Sequence, residues 1–317
     1  MNIWLNFVID ALAFGAVFIY GSTGEILTEK SGQLNLGIPG IMCMGGAGGC
    51  LVLNFIGQSG LPAFLIVILG ILGSLLFSML CGLIYSFLTV SLRANQNVTG
   101  LALTTFGAGL MKVIMVKLNP AVYLVVPKLF YRWPFAARQD SLQYLGVMFF
   151  MAVLIAIITS HVLFRTHTGL NLRAVGESPA VADAAGINVT KYKYVATCAG
   201  SGIAGLGGFY YIIDYMASQE AYLSLEAYGW LSIALVIFAL WRPCLAILGS
   251  TVFGILFSFS GFITNIKGIT VTMAMKPILR MLPYIVTVIV LIISSIRNKR
   301  ENQPPASLGQ NYFREER

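Results

Sequence analysis

The stretch LPAFLIVILGILGSLLFSMLCGL, at residues 61–83, contains no charged side chain. An α-helix needs about 20 apolar residues to cross the hydrocarbon core of a membrane, so this stretch alone predicts a membrane span. The rest of the chain has the same character, since 57% of its 317 residues are apolar and only 10% are charged. Soluble domains carry about 25% charged residues. The sequence therefore predicts an all-α, polytopic transmembrane helical bundle.

Charged and turn-forming segments divide this bundle into about nine spans, with eight and ten as the alternatives. The predicted spans are residues 3–23, 35–56, 61–83, 97–117, 142–164, 193–213, 222–241, 244–263 and 278–296. They form a transmembrane domain over residues 1–296. The polar remainder, residues 297–317, contains two prolines and no apolar periodicity, so we expect a disordered cytoplasmic tail.

The orientation of the spans follows from their flanking cations, because lysine and arginine collect in cytoplasmic loops. The basic run RNKRE at residues 297–301 places the C-terminus inside, and nine spans then place the N-terminus outside. Seven further cations would lie inside: Lys30, Arg93, Arg165, Arg173, Lys191, Lys193 and Arg242. Three others, Lys128, Arg132 and Arg138, would lie outside and argue against this orientation.

A short helix is predicted inside the longest polar interruption on the basic side, residues 165–192. Ser178 is a favourable N-cap, Pro179 fits the first helical position, and Gly186 can take the left-handed conformation that ends a helix. We call residues 178–186 the stub. A stub of about seven helical residues is roughly 10 Å long and cannot cross a membrane. It is either a projection that fits a partner protein or an ordered interfacial loop.

Three stretches carry a family resemblance: GLNLRAVGESPAVADAAGINV at residues 169–189, YGSTGEILTEKSGQLNLGIPGIMCMGG at 20–46, and LRANQNVTGLALTTFGAGL at 92–110. They resemble, in order and spacing, the permease subunits of bacterial ABC importers. The nearest members take up nucleosides and simple sugars, and more distant ones take up branched-chain amino acids. The first stretch is similar to the coupling-helix loop of these permeases, and the second to their first cytoplasmic loop and second span.

The resemblance implies a mechanism in which a separate cytoplasmic ATPase binds ATP and Mg²⁺ and closes on the stub. Closure would move the spans between outward- and inward-facing states. The residues implied in ATPase coupling are Arg173, Glu177, Ser178, Pro179, Asp183 and Gly186. Arg173 and Glu177 would contact the ATPase, Asp183 would face the ATPase or the adjacent loop, and Ser178 and Gly186 would cap the stub. For Arg173, the alternative is a topogenic charge.

The resemblance also implies the partners and the location. These are the cytoplasmic ATPase, a second and homologous permease that is either identical or a paralogue, an extracellular or periplasmic substrate-binding lipoprotein, and the bilayer of the bacterial plasma (inner) membrane. The chain contains no G-x-x-x-x-G-K-[ST] match for cradling phosphates, so it would not hydrolyse ATP itself. We therefore expect a transport subunit that is not an enzyme, holds no cofactor or metal, and binds no nucleic acid.

Polar, uncharged residues within or beside spans are candidates for the substrate path, although bonding between helices is the commoner use of such residues. These candidates are Asn35, Asn97, Thr99, Thr104 and Thr105. The sequence departs from the family at Pro39, where members commonly have glutamate. A proline there favours a kinked or broken second span.

Two other classes of membrane protein remain as alternatives. A secondary transporter driven by an ion gradient would use broken helices, with Pro39 as a possible break. Such transporters usually keep ionisable residues in the middle of their spans, whereas the predicted spans contain few, among them Asp10 and Lys112. A membrane-embedded enzyme would need a cluster of catalytic side chains. The two histidines, His161 and His167, lie at or beyond the end of a span.

Overall fold

The structure is a computed structural model that describes residues 3–57, 59–124, 145–263, 275–297 and 303–313. Within these ranges the chain forms helices and turns and contains no β-strand. Its helices are α1 (Ile3–Glu29), α2 (Ile38–Ile56), α3 (Ala63–Ser86), α4 (Gln96–Val116), α5 (Val147–Arg165), α6 (His167–Glu177), α7 (Pro179–Ala184), α8 (Val189–Tyr210), α9 (Tyr222–Phe238), α10 (Pro243–Phe262) and α11 (Met275–Arg297).

Eight of the helices among the described residues are long and apolar enough to cross a membrane. A ninth long helix, α11, contains a shorter apolar segment at Pro277–Ile289. Each of the nine lies where a span is predicted, so the all-α, polytopic fold of about nine spans is confirmed. The two remaining helices, α6 and α7, are short and polar, and they follow one another between α5 and α8.

The centre of the bundle is formed by α2 and α8, which approach closely through glycines. Every residue from Ile38 to Cys50 is buried. A Cβ added to Gly45 would overlap the backbone of Gly205, and one added to Gly208 would overlap the carbonyl oxygen of Met42. In lipid such close approach is a main source of packing energy.

The two ends of the bundle differ in charge. One end, which we call the stub face, carries α6, α7 and the turns at residues 30–37 and 92–95. All seven cations that the sequence assigns to the inner side lie in or beside the helix ends and loops of this face. Lys128, Arg132 and Arg138, the cations that argue against the assignment, lie outside the described residues.

Pro39 does not break the second span. It is the second residue of α2, in the first turn of the helix. Backbone N–H groups in the first turn have no intrahelical acceptor, so a proline there removes no helical hydrogen bond. The predicted kink or break is wrong because the helix begins at Ile38, three residues later than the predicted span.

Candidate coupling face and translocation cavity

The stub forms the short helix that its capping residues predict. The Ser178 hydroxyl accepts a hydrogen bond from the Val181 amide (3.5 Å), and α7 runs from Pro179 to Ala184. Gly186 has a φ of +82°, in the left-handed region. The amide of Ile187 donates to the carbonyl of Ala182 at 3.0 Å, which closes the helix in a Schellman motif. Both ends of the stub are therefore fixed by local contacts.

The stub is anchored on one side and bare on the other. Ala182 is 2% exposed and belongs to a small apolar cluster with Val175 of α6 and Val189 of α8. Val181, the preceding residue, is 68% exposed. Because the neighbouring side chains of a six-residue helix point in different directions, this arrangement presents one face to the bundle and another to solvent.

The helix before the stub, α6, was not predicted. Its N-cap is Thr166, whose hydroxyl accepts from the amide of Gly169 at 3.2 Å. The sequence does carry this cap, and the buried Leu172 and Val175 have helical spacing. Glycines at 169 and 176 obscure the pattern because glycine disfavours helix interiors. Both lie against neighbouring backbone: a Cβ on Gly176 would overlap the carbonyl of Lys30.

Two of the predicted coupling residues, Arg173 and Glu177, lie one turn apart on α6. The guanidinium of Arg173 is 5.2 Å from the ring centroid of Phe164, and the side chain is half-buried. The two residues line a pocket of about 280 Å³ together with Lys30 and Arg242. Burial lowers the pKa of Lys30, and the Glu177 carboxylate opposes that shift. Three cations and one carboxylate therefore lie together where α6 meets the turn after α1.

The described part of the tail is ordered on the stub face, where the sequence analysis expects disorder. We call residues 303–313 the strap. The amide and hydroxyl of Ser307 both donate to the carbonyl of Gly176 (3.1 and 2.6 Å), and the Gly309 amide donates to the carbonyl of Gly32 (3.3 Å). The Asn311 side chain donates to the carbonyl of Arg93 at 2.7 Å. The strap thus ties α6 to the turns at residues 30–37 and 92–95.

The strap also forms hydrogen bonds with two residues of this chain for which the resemblance implies a role in ATPase coupling. The hydroxyl of Tyr312 donates to Asp183 at 2.9 Å, and the amide of Ala306 donates to Glu177 at 3.4 Å. The stub face is therefore a composite surface of the stub, α6 and the strap. No sequence signal marks these bonds, because each joins residues 129 positions apart.

Two buried carboxylates lie at the end of α1 that reaches the stub face. The backbone amide of Asn35 donates to Glu25 at 3.2 Å, and the indole N–H of Trp241 donates to Glu29. These bonds link the end of α1 to the turns before α2 and before α10. The sequence analysis missed both residues because it ends the first span at residue 23, whereas α1 continues to Glu29.

The five candidate path residues do not converge on one cavity. Thr104 donates to the carbonyl of Leu36 at 2.8 Å, and Asn35 accepts from the amide of Gly37 at 3.0 Å, so both fix the turn that precedes α2. The remaining three lie on α4: Thr99 is buried and donates to the Asn95 carbonyl, Thr105 donates to the Leu101 carbonyl and is exposed, and Asn97 is exposed.

A cavity of about 580 Å³ lies instead in the half of the bundle away from the stub face. Aromatic rings from five helical segments surround it: Phe14, Tyr211, Tyr215, Tyr228, Phe257 and Tyr284. Phe14 and Tyr228 meet edge to face at a centroid distance of 5.1 Å, as do Tyr211 and Tyr228. The sequence analysis missed this site because its rings are scattered over more than 250 positions of the chain.

Polar groups lie among these rings. The Tyr215 hydroxyl donates to the Asp10 carboxylate at 2.8 Å, and Tyr211 and Ser224 share a hydrogen bond of 2.9 Å. Ser258 and Ser260 of α10 also line the cavity. The cavity therefore offers aromatic surfaces for a flat apolar group and hydrogen-bonding groups, including a carboxylate, for hydroxyls.

Known proteins are similar to this chain over nearly its whole length, and they belong to the family that the sequence resembles. Residues 7–294 match the family model described as the permease component of the branched-chain amino acid transport system. The nucleoside ABC transporter permease protein NupC of Lactococcus lactis is 31% identical over 90% of each chain. The guanosine ABC transporter permease protein NupQ of Bacillus subtilis is 30% identical over 90% of this chain and 91% of that one.

A further relative is TsgC13 of Haloferax volcanii, named as a candidate glucose ABC transporter permease. It is 28% identical over 98% of this chain and 97% of its own. The family match covers all of the long helices except the first residues of α1 and the last residues of α11. The family resemblance that the sequence carries is thus confirmed, and nothing in these comparisons supports a secondary transporter. This chain is a multi-pass membrane protein that belongs to the ABC transporter permease family.

Proposed function

We propose that this chain is the translocating subunit of an ATP-driven importer in a bacterial plasma membrane, with the stub face in the cytoplasm. A separate ATPase would bind ATP and Mg²⁺ and close on the stub face. A second, homologous permease would complete the pathway, and an extracellular binding lipoprotein would deliver the substrate. The observation that carries this proposal is the stub: a capped helix, anchored through Ala182 and exposed at Val181.

The physical argument is that a short rod can transmit movement only if it does not fray. Isolated helices of this length are unstable in water, so the stub depends on its caps and its anchor. Ser178 and Gly186 supply the caps, and Ala182 packs against the bundle. Force applied at the exposed side would therefore reach α5 and α8, the spans on either side of the loop.

The orientation can be tested by cysteine labelling of right-side-out membrane vesicles. We expect Val181→Cys, in a Cys244→Ser background that removes an exposed native cysteine, to react with a membrane-impermeant maleimide only after permeabilisation. Lys117→Cys is the matched control, because Lys117 is exposed at the end of α4 that lies away from the stub face. It should react in sealed vesicles. Labelling of Val181→Cys in sealed vesicles would place the stub outside and overturn the proposed function.

For the substrate, we propose nucleosides. A nucleobase has two flat faces that can stack on aromatic rings. A ribose has adjacent hydroxyls that can donate hydrogen bonds to a carboxylate. The aromatic cavity supplies both, because the rings of Phe14, Tyr211 and Tyr228 contact one another there and Asp10 also lines it. A sugar would need hydrogen bonds around its whole rim. In this cavity most of the lining is apolar or aromatic.

A substitution within the cavity tests this assignment. We expect Tyr228→Leu to reduce the apparent affinity for nucleoside uptake about tenfold, because base–aromatic stacking contributes about 1–3 kcal/mol. Phe150→Leu, an exposed ring on α5, is the control and should leave uptake unchanged. The measurement is labelled-nucleoside uptake with unlabelled nucleosides and glucose as competitors. Unchanged affinity in folded Tyr228→Leu, or competition by glucose alone, would contradict the substrate assignment.

A further inference from the structure

A second large cavity lies on the stub face, beside the stub. Its volume is about 770 Å³, and its walls come from the helical turn that follows α3, the end of the stub, the loop before α8, the first turns of α8 and the strap. Three cations line it: Arg93, Lys191 and Lys193. Positive-inside topology accounts for exposed cations on this face, but it does not account for a buried one.

Lys193 is that buried cation. The residue is only 2% exposed, and its ammonium, which keeps access to the cavity, forms no hydrogen bond or ion pair with any residue in the described part of the chain. A charge with so little access to water is costly to leave unpaired. Buried charges are therefore normally paired, and a lysine left without a partner beside a polar cavity indicates an anion from outside the chain.

The first turn of α8 adds to the positive potential of this cavity. Asn188 caps the helix by accepting from the Lys191 amide at 2.9 Å, and Val189 and Thr190 also line the cavity. The N-terminus of a long helix carries partial positive charge and backbone N–H groups without intrahelical acceptors. Lys193 lies about one turn from this end, so the ammonium and the helix terminus can act on the same ligand.

The charged lining residues leave the cavity net positive, since three cations face one carboxylate. Asp183 is its acidic lining residue, and one oxygen of that carboxylate accepts from Tyr312. The guanidinium of Arg93 lies 4.7 Å from the ring centroid of Phe313, so the strap holds this cation beside the cavity. Gln33 and Tyr194 provide neutral hydrogen-bonding groups.

We propose that this cavity binds a phosphate group, held by Lys193, Lys191 and Arg93. The ligand is either the headgroup of an anionic phospholipid or a soluble phosphate. The apolar span of α8 begins at Val189, so the cavity lies level with the surface of the membrane, where headgroups are found. Basic pockets at the cytoplasmic ends of membrane helices suit such headgroups. The strap closes the outer side of the cavity through Asn311 and Tyr312.

The test measures thermal stability of the purified full chain in nanodiscs. One arm compares phosphatidylcholine with increasing phosphatidylglycerol in phosphate-free buffer, and the other titrates inorganic phosphate into phosphatidylcholine nanodiscs. A ligand that binds only the folded state raises Tm as its concentration rises. We expect such a rise in at least one arm for the native chain. The arm that responds identifies a lipid headgroup or a soluble phosphate as the source.

Lys193→Met is the decisive variant, and Lys117→Met, at the exposed far end of α4, is its control. Without ligand, Lys193→Met should be at least as stable as the native chain, because it removes an unpaired buried charge. Its apparent affinity in the responding arm should fall about tenfold or more, since hydrogen bonds to charged groups are the strong ones. The proposal is overturned if neither arm stabilises the native chain, or if Lys193→Met responds as Lys117→Met does.

Discussion

Replacing Gly208 with leucine should prevent the permease from folding. A Cβ at this position would overlap the carbonyl oxygen of Met42, an atom of the α2 backbone that cannot rotate away. Overpacking in a close-packed interior costs typically about 1–3 kcal/mol, and a clash with backbone lies at the upper end of that range or above it. Because α2 and α8 form the centre of the bundle, forcing them apart would disturb the other spans that pack on them.

The matched control is Gly109→Leu, since a Cβ at Gly109 would meet no atom within 4 Å. Both variants add the same side chain to a glycine within a long helix, so any general cost of leucine insertion cancels. The measurement is the yield of monodisperse protein in detergent and its unfolding temperature. Equal yields and equal unfolding temperatures for the two variants would contradict the close contact between α2 and α8.

Substituting valine for Gly186 should uncouple ATP hydrolysis from uptake. The left-handed backbone at this position disfavours any side chain, and a β-branched one most of all. Strain of about 1–2 kcal/mol is large for a helix of six residues, so the C-terminal turn of the stub should fray. We expect uptake to fall about tenfold or more, because a frayed stub absorbs the movement that it should transmit.

The matched control for this variant is Ala185→Val. This neighbouring residue is also exposed, and its φ is −79°, which valine tolerates. A second variant, Glu177→Gln, removes the carboxylate that accepts from the strap while leaving both stub caps in place. If Gly186→Val transports as well as Ala185→Val does, the stub does not need its C-terminal cap for coupling.

The sequence predicts those features of the fold that depend on local patterns. Apolar length reveals the nine long helices, and capping chemistry places the stub, since Ser178 and Gly186 act on residues no more than five positions away. In each case the interaction that specifies the structure lies within one helix or one helical face.

Features made by residues far apart in sequence could not be predicted in this way. The strap has no apolar periodicity, and it is ordered through hydrogen bonds to the carbonyls of Gly32, Arg93 and Gly176, which lie in two separate turns and in α6. The aromatic cavity draws its rings from five segments. From the sequence alone, Lys193 is interpreted as an ordinary topogenic cation. Only the packed structure shows that most of its side chain is buried.

The candidate path residues illustrate the same limit. Polar residues within spans are correctly identified as needing partners, but the sequence does not say which partners they find. Thr104 and Asn35 bond to the backbone of the turn before α2, which is a structural use. The aromatic cavity is lined mainly by tyrosines, phenylalanines and serines and by one aspartate, Asp10, which the sequence analysis considered only as an ionisable residue within a span.

The central claim is that an external ATPase drives this bundle through the stub. The most direct measurement follows uptake and ATP hydrolysis together in proteoliposomes that contain the permease with or without the ATPase and ATP. We predict uptake only in the complete system, with hydrolysis continuing but uptake largely lost in Gly186→Val. Accumulation of substrate by the permease alone, under an ion gradient and without nucleotide, would contradict the claim.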